Sequence, residues 1–119
     1  MDFAALRRFV ESEIDSYVYQ VPDGALGRAC SAEWVAGQIA EMRASLVKPE
    51  WVQVELRDTE QQLKAEFPVM RPCVRVARDQ KGYELYYDPE AGEFVLAFAG
   101  TPPQTFNVRG DAVGCFMAR

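Results

Sequence analysis

The sequence predicts an α+β domain: an antiparallel meander sheet of four to five strands, one face covered by two N-terminal helices, with a short C-terminal helix. Three observations carry this. Up to about residue 47, apolar side chains recur at three- and four-residue steps, the period of a helix with one buried face. From about residue 51 they alternate instead, the period of a half-buried strand. Between Pro72 and Gly100, three alternating runs are separated by two turn signals, and their side chains sort consistently onto two faces. The chain has 119 residues, 49% apolar and 26% charged, which fits a single domain over 1–119.

The first helix is predicted at about residues 2–19. Asp2 is its cap, and Phe3, Leu6, Phe9, Val10, Ile14, Tyr17 and Val18 form its apolar face. Pro22-Asp23-Gly24 is a turn signal, and Gly24 and Gly27 loosen the loop that follows. A second helix is predicted at about 31–47. Ser31 is its N-cap, and Glu33 suits the positive end of the helix dipole. Val35, Ile39, Met42 and Leu46 make its stripe with Trp34 at the edge, and Pro49 is a stop.

The next strand is predicted at about 51–57, with Val52, Val54 and Leu56 on one face and Trp51, Gln53, Glu55 and Arg57 on the other. Segment 59–69 reads both ways. Thr59 and Gln62 fit a capping box, whereas Leu63, Ala65, Phe67 and Val69 alternate, and the alternation slightly favours extended chain.

Three strands follow at about 73–79, 83–88 and 93–99, and Gly82 and Gly92 supply the positive φ their turns need. Pairing Asp88 with Glu93 sets Tyr87 against Phe94, Leu85 against Leu96 and Tyr83 against Phe98. Pairing Asp79 with Gly82 sets Val76 against Leu85 and Val74 against Tyr87. One face then holds only apolar and aromatic side chains, a surface for the helices to cover. The other holds Arg75, Ala77, Glu84, Tyr86, Glu93, Val95 and Ala97 and is expected to face solvent, with Tyr86 more exposed than Tyr83 and Tyr87. Thr101-Pro102-Pro103 ends the meander. A last strand is predicted at about 105–109 with Phe106 and Val108 inward, and Asp111 caps a short helix at about 111–118.

The composition narrows the chemistry. There is no histidine, so Ser-His-Asp and Cys-His sites are absent from this chain. Cys30, Cys73 and Cys115 lie far apart with no CxxC, which reads as reduced thiols rather than a disulfide framework or a zinc site. Cys30 precedes a helix start, a position that can lower a thiol pKa, but it reads first as a packed side chain. Glu84, Asp88, Glu90 and Glu93 lack any metal-ligand spacing and read as acids around a hairpin. The tripeptide Arg109-Gly110-Asp111 reads as a strand end followed by a helix cap. No catalytic residue, metal or cofactor is assigned.

With 13 basic and 18 acidic residues, the net charge is −5, which disfavours nucleic acid and anionic membranes and favours a basic partner. No apolar run has the length of a membrane span. The opening MDFAALRRFVESEID carries charges too early for a secretion signal, so a cytoplasmic location is expected.

The function expected is that of a non-catalytic protein-binding module: an inhibitor, an immunity or antitoxin-type protein, or a secretion chaperone. The expected contact surface is the outer sheet face, built from Tyr86, Arg75, Glu84, Glu93 and Val95 together with Trp51. The alternative is a small-molecule-binding protein or histidine-free enzyme with a pocket between helices and sheet, lined by Tyr83, Tyr87 and Trp34. An open sheet edge also offers a route to a homodimer.

Overall fold

The computed structural model describes residues 1–18 and 31–119. The Pro22–Gly24 turn, the loop at Gly27 and the reading of Cys30 lie outside the described residues.

Helix α1 (Phe3–Ser16) starts where the Asp2 side chain accepts the Ala5 N–H, and it buries Leu6, Val10 and Ile14. It ends sooner than the apolar pattern suggested, because Tyr17 is already extended. In α2 (Ala32–Ser45) the Ser31 side chain accepts the Trp34 N–H. Its stripe is only half used: Met42 is buried, Val35 and Ile39 are partly covered, and Trp34 is exposed.

The chain then passes directly into β1 (Leu46–Glu55), which begins at Leu46 rather than near residue 51. Pro49, expected to stop a helix, sits inside this strand. It falls where the ladder to β2 is irregular, between Leu46 and Glu50, a place that tolerates a residue without an N–H.

The segment expected to be extended contains a short helix, α3 (Glu60–Lys64). The Thr59 hydroxyl accepts the Gln62 N–H at 3.2 Å, and the Gln62 side chain accepts from Asp58 and Thr59 at 2.7 and 3.1 Å. These reciprocal bonds satisfy backbone groups that an extended chain here would leave to water. Leu63 and Phe67 are exposed, so their alternation serves no core.

Strands β2 (Met70–Arg78), β3 (Tyr83–Asp88), β4 (Glu93–Phe98) and β5 (Gln104–Gly110) complete the sheet, and α4 (Ala112–Met117) follows, capped by Asp111. The β3–β4 register is the one read from the sequence, from Tyr83↔Phe98 to Asp88↔Glu93. The β2–β3 register agrees at Val74↔Tyr87 and then shifts, so that Ala77 rather than Val76 meets Leu85. The bulge turns both Val76 and Ala77 into the helix-side core. A third irregularity, in β4–β5, accompanies Asn107 at φ 64°, and the Asn107 N–H donates to Asp58 at 2.7 Å.

β5 also meets β1, in parallel, at Glu55↔Gln104, and this closes the five strands into a barrel. Closure reverses the expectation for the second sheet face. Its side chains converge on the barrel axis instead of meeting water. Tyr86 is 0% exposed, whereas Tyr83 and Tyr87 are only partly covered. Val52, Val54, Cys73, Val95 and Ala97 pack with Tyr86 inside the barrel. On the outer surface, Leu6, Val10, Ile14 and Met42 meet Val74, Val76, Leu85, Phe94 and Leu96, with Val113 and Phe116 of α4 in the same cluster. The covering layer therefore includes α4 as well as the two N-terminal helices. Arg119 ties it down: its guanidinium lies 3.8 Å from the Phe116 ring centre, 2.6 Å from Asp79 and 3.0 Å from Glu41.

At one end of the barrel interior, Asp88 accepts from Arg71 at 2.8 Å and from Arg109 at 2.9 Å, and Arg109 continues to Asp58 at 2.9 Å. Burial opposes ionisation of Asp88, but the two guanidiniums outweigh it and hold the carboxyl below its ordinary 3.8. Asp79 is lowered in the same way, burial being outweighed by the Tyr83 N–H and Arg119. The stability these pairs confer is complete above the ordinary carboxylate range and is lost as pH falls through the lower folded-state values. Asp88→Asn is expected to cost roughly 3 kcal/mol at neutral pH and to flatten the acid loss. Urea melts from about pH 6 down to about pH 3 measure both, and an acid slope equal to that of the wild type would contradict the assignment.

Candidate functional site

The six residues expected to form a contact surface do not share one. Arg75, Glu84, Tyr86 and Val95 come together, but inside the barrel. Glu84 accepts from the Tyr86 hydroxyl at 2.8 Å, from Arg75 at 3.0 Å and from Arg78 at 2.7 Å, while Arg75 also pairs with Glu50. Tyr86 is covered by the closing strands, and burial followed by the Glu84 carboxylate pushes its phenol pKa well up, so it stays protonated. Trp51 is 50% exposed but lies on the other sheet face, its ring 6.2 Å from that of Phe3. Glu93 is partly exposed and approaches Arg109 at 3.5 Å. The outer-face patch is thus corrected: barrel closure removed its aromatic centre from the surface.

The described cysteines are poor nucleophiles. Burial pushes the thiols of Cys73 and Cys115 up to about 12, and both are free of disulfides. Among the described residues, no three Cys, Asp or Glu side chains converge in a way that would hold a metal ion.

A different site is built on the outside, where α1 crosses β4 and the end of β5. Leu6 and Val10 of α1 turn into the core, which leaves Phe9 on the flank of the helix, 52% exposed, its ring stacked over Phe94 at 6.1 Å and 4°. Tyr87 meets Phe94 at 5.2 Å and 57°. Gly110 at φ 140° lets β5 turn sharply into α4 and brings Asp111 to the rim. Between these elements lies a groove of about 560 Å³. Met1, Ala5, Leu6, Phe9, Tyr87 and Phe94 supply its apolar surface, and Asp2, Glu13, Glu93 and Asp111 are its charged residues, with no Lys or Arg in the lining.

Each of these acids has a structural tie. Asp2 and Asp111 cap α1 and α4, Glu13 accepts the Ala112 N–H at 3.1 Å, and Glu93 faces Arg109. The ties do not cancel the field. The Glu13 pKa is raised above 4.5 by burial first and by the Asp111 charge as well, against the bond from Ala112. A cation with an apolar stem would meet aromatic faces and carboxylates together.

The sequence places Phe9 on the apolar face of the first helix and gives Glu13 no role. The available signal was local: Phe9 and Glu13 stand four residues apart and share one flank of the helix.

The chain matches no protein-family model, no curated protein and no solved structure.

The electrostatics of the groove are directly measurable. Asp111→Asn keeps a capping side chain while removing a charge. Glu13 is expected to titrate above 4.5 in the wild type and closer to that value in the variant, read from its side-chain carboxyl resonance by NMR. Identical Glu13 titrations in the two proteins would refute the coupling.

Proposed function

We propose that this protein is a non-catalytic binding module that takes a basic, apolar-flanked segment of a protein partner into the groove between α1 and β4–β5. One observation carries the reading: exposed and half-exposed aromatic rings, Phe9 and Tyr87, share a groove with four carboxylates and no base. The net charge of −5 supports it, because a negative field speeds capture of a basic partner. The groove is open and runs out to exposed Met1 and Phe9, which favours a chain segment over an enclosed small organic cation.

This reading moves the contact surface from Tyr86 to Phe9 and keeps the class of function expected from the sequence. That class still spans a small inhibitor, an immunity or antitoxin-type protein and a secretion chaperone. A partner in the groove is favoured over a homodimer through a sheet edge. The second edge of β1 is bonded to β5 only at Glu55↔Gln104, but Lys48, Pro49 and the irregular ladder discourage strand addition along the rest. A cytoplasmic setting belongs to the same reading and is supported by the two buried free thiols. Among the described residues, no helix is long and apolar enough to cross a membrane.

Affinity capture from the native host, with wild type and Phe9→Glu side by side, tests the proposal. Phe9 is half exposed, so the variant is expected to fold, and near-UV circular dichroism checks that it does. The expected result is a Lys- or Arg-rich partner that elutes as salt is raised and whose binding drops at least about tenfold in the variant, roughly 1.4 kcal/mol. A partner list that Phe9→Glu leaves unchanged would place binding elsewhere and sink this reading.

A further inference from the structure

A second cavity, on the opposite side of the sheet from the groove, stands independently of that reading. We propose that the mouth of the barrel binds a small amphipathic monocarboxylate, its carboxylate held by Arg78 and its apolar body by the surrounding wall. β1 and β5 meet at one residue pair, Glu55↔Gln104, where the Glu55 N–H also donates to the Pro103 carbonyl at 2.9 Å. Next to this closure lies a cavity of about 910 Å³ between β1 and the chain from Ala99 to Pro103. That is within the size range of small-ligand sites. Val52, Pro68, Met70, Ala99, Pro102 and Pro103 provide its apolar wall, and three prolines make much of that wall stiff.

The polar end is defined by which donors and acceptors are already taken. Glu84 is 2% exposed, with one carboxylate oxygen bonded by Tyr86 and the other by Arg75 and Arg78. Arg75 uses one terminal nitrogen on Glu84 and the other on Glu50. Glu55, the remaining acid of the lining, is held by Arg57 and Gln104, each at 3.1 Å. Arg78 differs: it uses only Nε, at 2.7 Å from Glu84, and its side chain is 54% exposed. Its two terminal nitrogens have no partner among the described residues. A guanidinium anchored through Nε offers the remaining pair of nitrogens to a carboxylate in a two-point contact. The buried Glu84 is therefore a positioning group, and Arg78 is the contact. One available cation in the cavity lining, in a chain of net charge −5, favours a monoanion over a polyphosphate.

Fluorescence titration with dansyl-aminoundecanoic acid and with its methyl ester tests the site, since the two probes share a body and the ester replaces the carboxylate charge with a methyl ester. The acid is expected to bind with a micromolar Kd and the ester about tenfold more weakly. Arg78→Gln should bring the acid to the level of the ester while leaving the ester unchanged, and Arg78→Lys should fall between. Ala99→Trp, at an exposed position of the wall, should abolish both, and Phe9→Ala in the outer groove should alter neither. Near-UV circular dichroism confirms that each variant is folded. Absence of binding, equal binding of acid and ester, insensitivity to Arg78→Gln, or loss of binding on Phe9→Ala but not on Ala99→Trp would each overturn the proposal. Failure of the outer groove to bind a basic partner would leave this result untouched.

Discussion

Two buried carboxylates at opposite ends of β3, Glu84 and Asp88, are what the barrel is organised around. A carboxylate enclosed by protein is costly unless it is paired and fully hydrogen-bonded. Each of these has two guanidiniums: Arg75 and Arg78 for Glu84, Arg71 and Arg109 for Asp88. Arg71, Cys73 and Arg75 alternate along β2 and so present both arginines, with the buried thiol between them, to the same interior. Arg109 reaches in from β5 and continues to Asp58, beyond the end of β1. The paired charges therefore link strands that are far apart in the chain. They do so in a barrel whose backbone closure rests on one parallel pair, Glu55↔Gln104. Removing either carboxylate would take from its two guanidiniums the buried partner they share, leaving Arg75 with Glu50, Arg71 with Glu90 and Arg109 with Asp58 and Glu93.

That arrangement frees the outer surface for another purpose. With the polar side chains of the sheet turned inward and paired, the helices cover an almost wholly apolar outer face. Where α1 runs past its own core stripe, an edge of that apolar layer emerges beside the capping acids of two helices. The result is a surface with aromatic faces and negative charge, while the barrel mouth pairs apolar walls with an available cation. The two cavities lie on opposite faces of one sheet and differ in charge: the groove is lined by four acids and no base, the barrel mouth by two acids and two arginines.

Much of the local structure was legible. Asp2, Ser31 and Asp111 act as the caps expected of them, because a side chain bonding a backbone N–H three residues on is a short-range event. The β3–β4 register followed from side-chain alternation across a tight turn. The segment after β1 reads both ways in sequence because its alternation competes with a capping box, and the box prevails because it makes its bonds regardless of the sheet. Helical spacing puts Phe9 on the apolar face of α1 without showing how far across that face the sheet extends, and Phe9 is left half exposed.

The sequence by itself determined the two N-terminal helices, the meander and the C-terminal helix, the caps Asp2, Ser31 and Asp111, most of the division of strand residues into two faces, and the absence of histidine. Only the tertiary structure decided which way the second face points. A mixed face carrying Arg75, Glu84, Tyr86 and Val95 has the same alternation whether it meets water or a barrel axis. Its fate depends on β5 returning to β1, a contact between residues 55 and 104 that leaves no periodic trace in the chain. The arginines and acids that make a buried interior tolerable look, one at a time, like ordinary surface charges. They become partners only once closure brings β2, β3 and β5 around a common axis.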